Sequence, residues 1–212
     1  MPGLSLDLTV NDPLDGQPWD FGKEAERTRA RGLIRKQKPF MLIGSPECVA
    51  FSTWQYLNET MANASQLQKM LKRKIEAKLH IDFVASLYRE QLEGGRYFLH
   101  EHPKHATSWK LGSMADLLEL SGVGLVRGDQ CQYGAEAIRG PRKGCPTKKP
   151  SGFMSNSPMV LKALSKQCEG RNGLCSRPGG GSHVLLEGQL TKDTAIYPRV
   201  CAARCSEECH SK

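Results

Sequence analysis

The residues from Leu42 to Ser52 combine an apolar run, a Gly-Ser-Pro turn and one cysteine, Cys48. This pattern predicts a strand that ends in a loop and presents a thiol at its carboxyl end, where open α/β sheets hold their ligands. A thiol in that position is suited to covalent catalysis, because the thiolate is a strong nucleophile. A second apolar run, Tyr97 to Leu99, leads into His100-Glu101-His102-Pro103 and predicts an acid at a neighbouring strand tip. The sequence therefore predicts Cys48 as a nucleophile and Glu101 as its acid partner.

Four short motifs follow one another in a fixed order. They are Gly-x-Pro-x-Cys-x-x-Phe-Ser at residues 44–52, Phe-x-x-Glu-x-Pro at 98–103, Gly-Asp-Gln-Cys-Gln-Tyr-Gly at 128–134 and Lys-Pro-Ser-Gly-Phe-Met-Ser-Asn at 149–156. The first two resemble core motifs of the DNA cytosine-5 methyltransferases. The whole set resembles the divergent methyltransferase-like proteins of phages and eukaryotic mobile elements. The likeness covers most of the chain, roughly residues 5 to 200.

This resemblance implies a covalent mechanism with S-adenosylmethionine as the cofactor. The Cys48 thiolate would add to C6 of a cytosine flipped out of the duplex, and Glu101 would hydrogen-bond or protonate N3 as charge develops. Asp7, Gly44 and Pro46 would lie at the cofactor, with Asp7 contacting the adenine from a strand at Leu6 to Val10. The side chains expected to face DNA are Gln132, Arg139, Arg142, Lys143, Lys148 and Lys149.

Several residues depart from the family pattern. Glu47 stands where the family has the proline of a Pro-Cys pair, and Val49 stands where many members have glutamine. The Phe-x-Gly-x-Gly loop that binds the methionine end of the cofactor has no counterpart, which implies that the first two strands of the family sheet are missing. The expected function is a cytosine-5 methyltransferase-like protein that is either active or an inactive remnant of a mobile element.

Composition and charge favour a nucleic-acid partner. The 212 residues are 39% hydrophobic and carry a formal charge of +8 with a pI near 9.1, which favours anionic partners such as DNA. The residues from Arg139 to Lys149 form a basic, Gly/Pro-rich loop able to reach phosphates. No apolar run approaches the ~18 residues of a membrane span, and the polar residues 1–20 lack a signal-peptide pattern. We expect a soluble intracellular protein, either nuclear or cytoplasmic, with no membrane partner.

Strand and helix patterns alternate along the chain. Strands are predicted at Leu6 to Val10, Phe40 to Ile43, Arg96 to His100, Gly124 to Arg127 and Gly152 to Ser155. Helices are predicted from about Lys23 to Gln37, from Met114 to Leu120, and over a long amphipathic stretch that ends at Gly94-Gly95. The alternation predicts an α/β fold with an incomplete Rossmann-like, class I methyltransferase-like sheet, largely parallel and covered by helices on both faces. Missing strands would leave an edge for a homodimer or another partner to cover.

The predicted domain organisation has two parts. Residues 1–167 form the methyltransferase-like domain, and residues 168–212 form an irregular region rich in Gly and Cys.

Two alternatives place the function outside catalysis. One is a zinc-stabilised nucleic-acid-binding module, in which Cys168, Cys175 and His183 lie near a second group of thiols, Cys201, Cys205 and Cys209. Intervals of six and seven residues are unlike the short knuckles of zinc fingers, so the main interpretation assigns no metal ligand. His100, His102 and His105 are interpreted as surface histidines. The other alternative is an inactive scaffold that binds DNA without the cofactor.

Overall fold

The computed structural model describes residues 4–12, 15–186 and 188–194, which form two compact units. The first unit takes its described residues from Met1–Leu42, Pro46–Tyr97 and Thr107–Leu117. The second takes them from Ile43–Ser45, Phe98–Ala106 and Leu118–Lys212. The chain therefore passes between the units several times, and neither unit is one continuous segment.

The first unit is mainly helical. Its helices are α1 (Glu24–Gln37), α2 (Trp54–Met61), α3 (Ala64–Glu93) and most of α4 (Gly112–Leu118). Helix α3 begins with a capping box, in which Asn63 Oδ1 accepts from the Gln66 N–H at 3.0 Å and Gln66 Oε1 accepts from the Asn63 N–H at 2.9 Å. The long helix and its end near Gly94 confirm the sequence prediction.

Only the second half of α3 contributes to the core. Its buried residues run from Ile81 to Gln91, whereas Leu67, Leu71, Ile75 and Leu79 are between 41% and 61% exposed. The apolar periodicity therefore predicted the helix correctly and overestimated the length of its buried face.

A cluster of one carboxylate and two guanidinium groups joins α1 to α3. Glu90 pairs with Arg31, and its Oε2 accepts from Arg35 Nε at 2.7 Å. The hydrogen bond from Arg35 is the main reason that the pKa of Glu90 is lowered, and Arg31 lowers the pKa further. The carboxylate thus stabilises the folded unit while it is ionised.

We expect Glu90→Gln to reduce the free energy of unfolding by roughly 1–2 kcal/mol at neutral pH. Because the folded-state pKa of Glu90 lies below the ordinary value of a glutamate, this contribution is present above that ordinary value and is lost as the pH falls through the folded-state pKa. Urea denaturation of both proteins at pH 7 and at pH 3 measures the effect. A difference that persisted undiminished at pH 3 would contradict the assignment.

The second unit holds most of a four-stranded mixed sheet with the strand order β1-β2-β4-β3. The strands are β1 (Met41–Gly44), β2 (Tyr97–Pro103), β3 (Gly124–Asp129) and β4 (Pro150–Ser155). Strand β4 is antiparallel to both neighbours, with Glu101 opposite Phe153 on one side and Val126 opposite Phe153 on the other. Strands β1 and β3 are the two ends of this order.

The prediction of a largely parallel sheet is therefore wrong for both neighbours of β4. Parallel neighbours need a crossover, usually a helix, whereas residues 130–149 contain only the short 3-10 helix Gln130–Tyr133. A strand that returns through such a loop pairs antiparallel. The four strand positions themselves agree with the sequence prediction to within a few residues.

The predicted strand at Leu6 to Val10 is also wrong, because these residues form a turn. The Asp7 carboxylate accepts from the Thr9 backbone N–H at 2.8 Å and from the Thr9 hydroxyl at 2.6 Å. The Val10 N–H donates to the Asp7 carbonyl at 3.1 Å. A short acidic side chain that satisfies the local backbone in this way competes with strand pairing.

The core of the second unit lies between the sheet and the segment that follows β4. Helix α5 (Pro158–Ala163) begins at Ser157, which caps it, and packs against β3 and β4. The buried Tyr133 hydroxyl donates to the Ala163 carbonyl at 3.2 Å and accepts from the Lys166 N–H at 2.8 Å. This phenol holds the chain after α5 close to the end of β3.

Beyond Lys166 the described residues contain turns, isolated bridges and the short helix α6 (Gly188–Asp193). No helix in the part of the chain that the structure describes is long and apolar enough to cross a membrane.

Candidate functional site

The carboxylate of Glu101 lies within β2 and is only 6% exposed. Its Oε2 accepts a hydrogen bond from Ser45 Oγ at 2.8 Å, and Ser45 follows Gly44, the last residue of β1. Its Oε1 is buried with no hydrogen-bond partner among the described residues. Buried polar atoms normally have a hydrogen-bond partner. A carboxyl group that is held by Ser45 and has one unpartnered oxygen is therefore suited to binding a polar ligand.

Cys48 follows β1 by four residues and immediately precedes the 3-10 helix Val49–Phe51. The side chain is partly exposed, and the Cys48 carbonyl accepts from the Phe51 N–H at 3.0 Å. The neighbouring Glu47 carboxylate pairs with Arg73 of α3, which offsets the negative charge beside the thiol. Cys48 belongs to the first unit and Glu101 to the second, so their joint action stays a prediction.

His100 and His102 are fully buried, which corrects their interpretation as surface histidines. They alternate with Glu101 along β2, and their rings lie 5.1 Å apart. Side chains at successive strand positions point to opposite faces, so both rings lie on the face opposite Glu101. His105 is exposed, as predicted.

Of the three predicted cofactor residues, Asp7 does not fit its role. Its exposed carboxylate is engaged in the turn with Thr9, instead of lying at the end of a strand. Gly44 and Pro46 flank Ser45 at the end of β1, and their contact with a cofactor stays a prediction.

Most of the predicted DNA-facing side chains contact residues between Cys168 and Thr194 of the second unit. Arg139 Nε lies 2.7 Å from Asp193 Oδ2, and Arg142 donates to the Ser182 carbonyl at 3.2 Å. Lys148 and Lys149 donate to the carbonyls of Cys168 and Thr194 at 3.3 and 3.2 Å. Gln132 faces a group of thiols, and Lys143 is exposed. These contacts leave their DNA-binding role a prediction.

The thiols beside Gln132 belong to a four-residue cluster of Cys131, Cys168, Cys175 and His183. The three sulfur atoms and one imidazole nitrogen all lie within 4.8 Å of one another. Cys168 Sγ is 3.8 Å from Cys175 Sγ and 3.6 Å from His183 Nε2. The three cysteines are buried, and His183 is partly exposed. Such a donor set is able to hold a metal ion.

Hydrogen bonds around the cluster hold its sulfur atoms in place. The Ser176 N–H and hydroxyl lie 3.5 and 3.6 Å from Cys168 Sγ, and Gln132 Nε2 lies 3.7 Å from Cys175 Sγ. The buried Asp129 carboxylate accepts from the Cys168 N–H at 2.8 Å. Polar hydrogens directed at sulfur favour its ionised form.

The pKa values of Cys168 and Cys131 are shifted in opposite directions. Burial raises the pKa of Cys168, but the hydrogen bonds from Ser176 and Gly170 outweigh it and lower the pKa to about 6. Burial raises the pKa of Cys131, and the neighbouring Cys175 and Cys168 raise it further. The Cys168 thiol is therefore readily ionised, whereas ionisation of the Cys131 thiol would require an added positive charge beside it.

Cys131 is the member of this cluster that the sequence analysis missed. It lies inside the Gly-Asp-Gln-Cys-Gln-Tyr-Gly motif, in which only Gln132 has a predicted role, that of facing DNA, and it is distant in sequence from Cys168. Its position shortly after a strand is the signal that could have identified it. Cys201, Cys205 and Cys209 lie outside the described residues.

Comparison with protein-family models, curated proteins and solved structures finds no match to this chain.

Proposed function

We propose that this chain is a DNA cytosine-5 methyltransferase-like protein in which Cys48 and Glu101 both act on a cytosine extruded from DNA. The observation that carries the proposal is the buried Glu101 carboxyl group, which is oriented by Ser45 and keeps Oε1 without a partner among the described residues. A cytosine presents an N3 acceptor beside an amino donor. A carboxylic acid matches both atoms.

The proposed chemistry is a reversible addition. The Cys48 thiolate forms a bond to C6, and the C5–C6 π electrons form a double bond between C4 and C5. The C4–N3 π electrons move to N3, which takes the proton of Glu101. The resulting enamine takes a proton from water at C5. Water then removes the original C5 hydrogen as a proton, Glu101 takes back the N3 proton, and expulsion of the thiolate regenerates cytosine with an exchanged hydrogen. Because the base must leave the duplex, the reaction requires base flipping.

The sheet order supports the same assignment. The sequence predicts that the cysteine strand and the glutamate strand are neighbours in the sheet. The order β1-β2-β4-β3, in which β1 lies beside β2, is compatible with that prediction.

S-adenosylmethionine is the methyl donor that the resemblance implies, but Asp7 does not fit an adenine contact. We therefore assign base binding and thiolate addition to the described residues, and no methyl-transfer step. Titration calorimetry with S-adenosylmethionine examines the cofactor separately from the base chemistry.

We expect the protein to release tritium from DNA labelled at C5 of cytosine, without any methyl donor. Cys48→Ala should abolish the release, because no thiolate then adds to C6. Glu101→Gln should lower it about 10²–10⁴-fold, since an amide cannot donate a proton to N3. Scintillation counting of released water measures the rate.

Cys145→Ala is the matched control, because the Cys145 side chain is partly exposed like that of Cys48 but has no role in the proposed chemistry. Its release should equal that of the unchanged protein. Release that survives Cys48→Ala would contradict the mechanism. A folded, DNA-binding protein with no release at all would favour the inactive scaffold.

A further inference from the structure

We propose that Cys131, Cys168, Cys175 and His183 bind one Zn²⁺ as a structural Cys3His site. The proposal is independent of the cytosine chemistry, because none of these residues takes part in it. It also differs from the zinc alternative suggested by the sequence, since it uses Cys131 and requires none of Cys201, Cys205 and Cys209.

The distances match tetrahedral zinc. Ligand bonds of ~2.3 Å to sulfur and ~2.0–2.1 Å to nitrogen at tetrahedral angles separate two sulfurs by ~3.8 Å and a sulfur from a nitrogen by ~3.6 Å. The structure has 3.8 Å between the sulfurs of Cys168 and Cys175, and 3.6 Å between Cys168 Sγ and His183 Nε2. All four donor atoms lie within 4.8 Å of one another.

The competing explanations for buried cysteines fit less well. A disulfide requires sulfurs ~2.05 Å apart, whereas these sulfurs are 3.8 Å apart and all three thiols are free. Thiols that pack only as small hydrophobic groups have no need of an imidazole nitrogen facing them. Three thiols and one imidazole that converge on a point are instead the composition of a structural zinc site.

A cation at the centre of the cluster would relieve unfavourable electrostatic interactions among its sulfur atoms. Three adjacent thiolates repel one another, and their burial disfavours ionisation further. A divalent ion at the centre reverses both effects, because a coordinated thiol is deprotonated. The Ser176 and Gln132 donors near the sulfurs would then satisfy their remaining lone pairs.

The proposed ion would join two distant parts of the second unit. Cys131 lies in the 3-10 helix after β3, whereas the other three ligands lie in the irregular loop from Cys168 to His183. Within that loop, the Cys175 N–H donates to the Gly181 carbonyl at 2.8 Å and the His183 N–H donates to the Gly173 carbonyl at 2.6 Å. With four protein ligands the ion would have no open position, which is typical of a structural role.

The test measures the metal content of the purified full chain. We expect about one zinc per chain by plasma mass spectrometry, and a cobalt-substituted sample with the visible spectrum of tetrahedral thiolate coordination. Cys131→Ser, Cys175→Ser and His183→Ala should each lose the zinc or weaken its binding at least tenfold in a competition titration with a chromogenic chelator.

Two matched controls define the site. Cys48→Ser with Cys145→Ser removes two partly exposed thiols outside the cluster and should keep the zinc. The triple variant Cys201→Ser, Cys205→Ser and Cys209→Ser should also keep it. Loss of zinc in the triple variant with retention in Cys131→Ser would overturn the proposal.

A second measurement covers variants that fail to fold. In the unchanged protein, chelator should raise the alkylation rates of Cys131, Cys168 and Cys175 together, as followed by peptide mass spectrometry, and leave that of Cys48 unchanged. A folded protein without metal whose cluster thiols react alike with and without chelator would overturn the proposal. A different metal in stoichiometric amount would overturn the choice of zinc.

Discussion

Gly128→Ala should lower the free energy of unfolding by about 3 kcal/mol, the upper end for overpacking a well-packed core. A Cβ at this position would lie 2.4 Å from the Leu164 carbonyl oxygen and 3.1 and 3.2 Å from ring atoms of Phe153 and Tyr133. The clash involves backbone on one side and buried aromatic rings on the other, so no flexible group is available to move. Urea denaturation followed by circular dichroism measures the loss.

The control for this substitution is Gly32→Ala in helix α1. A Cβ at Gly32 has no neighbour within 4 Å, and alanine is favoured over glycine inside a helix. We expect this variant to gain up to ~1 kcal/mol. A Gly128→Ala protein as stable as the unchanged chain would show that the approach of β3 to Leu164 is looser than described.

Asp129→Ala should cost about 2–4 kcal/mol and weaken the proposed zinc site 10–100-fold. The Asp129 carboxylate is fully buried, accepts from Arg127 Nη2 at 3.1 Å and from the Cys168 N–H at 2.8 Å, and lies 3.8 Å from Lys148 Nζ. Its removal leaves two cations and one buried N–H without this acceptor. The expected loss is smaller than that for breaking a fully buried ion pair, because the side chains of Arg127 and Lys148 are about one-third exposed.

Asp116→Ala provides the comparison. The Asp116 side chain is 66% exposed and lies 3.6 Å from Arg89, so its removal should change stability by no more than about 0.5 kcal/mol. Chelator competition and urea denaturation should be run on both variants. If Asp129→Ala lost stability but kept full zinc affinity, the link between this carboxylate and the Cys168 ligand would be wrong.

The elements of this fold could be predicted because their signals are local. Periodicity and the Gly94-Gly95 stop located α3, and apolar runs located all four strands. Their pairing could not be predicted, because no local pattern states that β4 lies between β2 and β3. Asp7 shows the limit of a motif, since its side chain satisfies nearby N–H groups and turns the chain away from a strand.

The candidate sites divide in the same way. The position of Glu101 could be identified from its motif. The burial of His100 and His102 could not, because polar residues within a strand suggest a face exposed to solvent, whereas β2 is buried on both faces from Phe98 to His102. The thiol cluster depends on a contact between Cys131 and a loop far along the chain. Its ligand intervals carry no recognisable spacing, and only the fold brings the four donors together.

The insertion of β4 has a consequence for the order of events during synthesis. Strands β2 and β3 emerge from the ribosome before β4, yet each of them has β4 as a neighbour, and the Ser155 hydroxyl bonds to the Phe98 carbonyl 57 residues earlier. Until β4 arrives, β3 has no strand of this sheet to pair with. Pairings over such separations are slow to form, and unpaired strands promote aggregation in the meantime. The nascent chain should therefore be most prone to aggregation after β3 has been synthesised and before β4 has emerged from the ribosome.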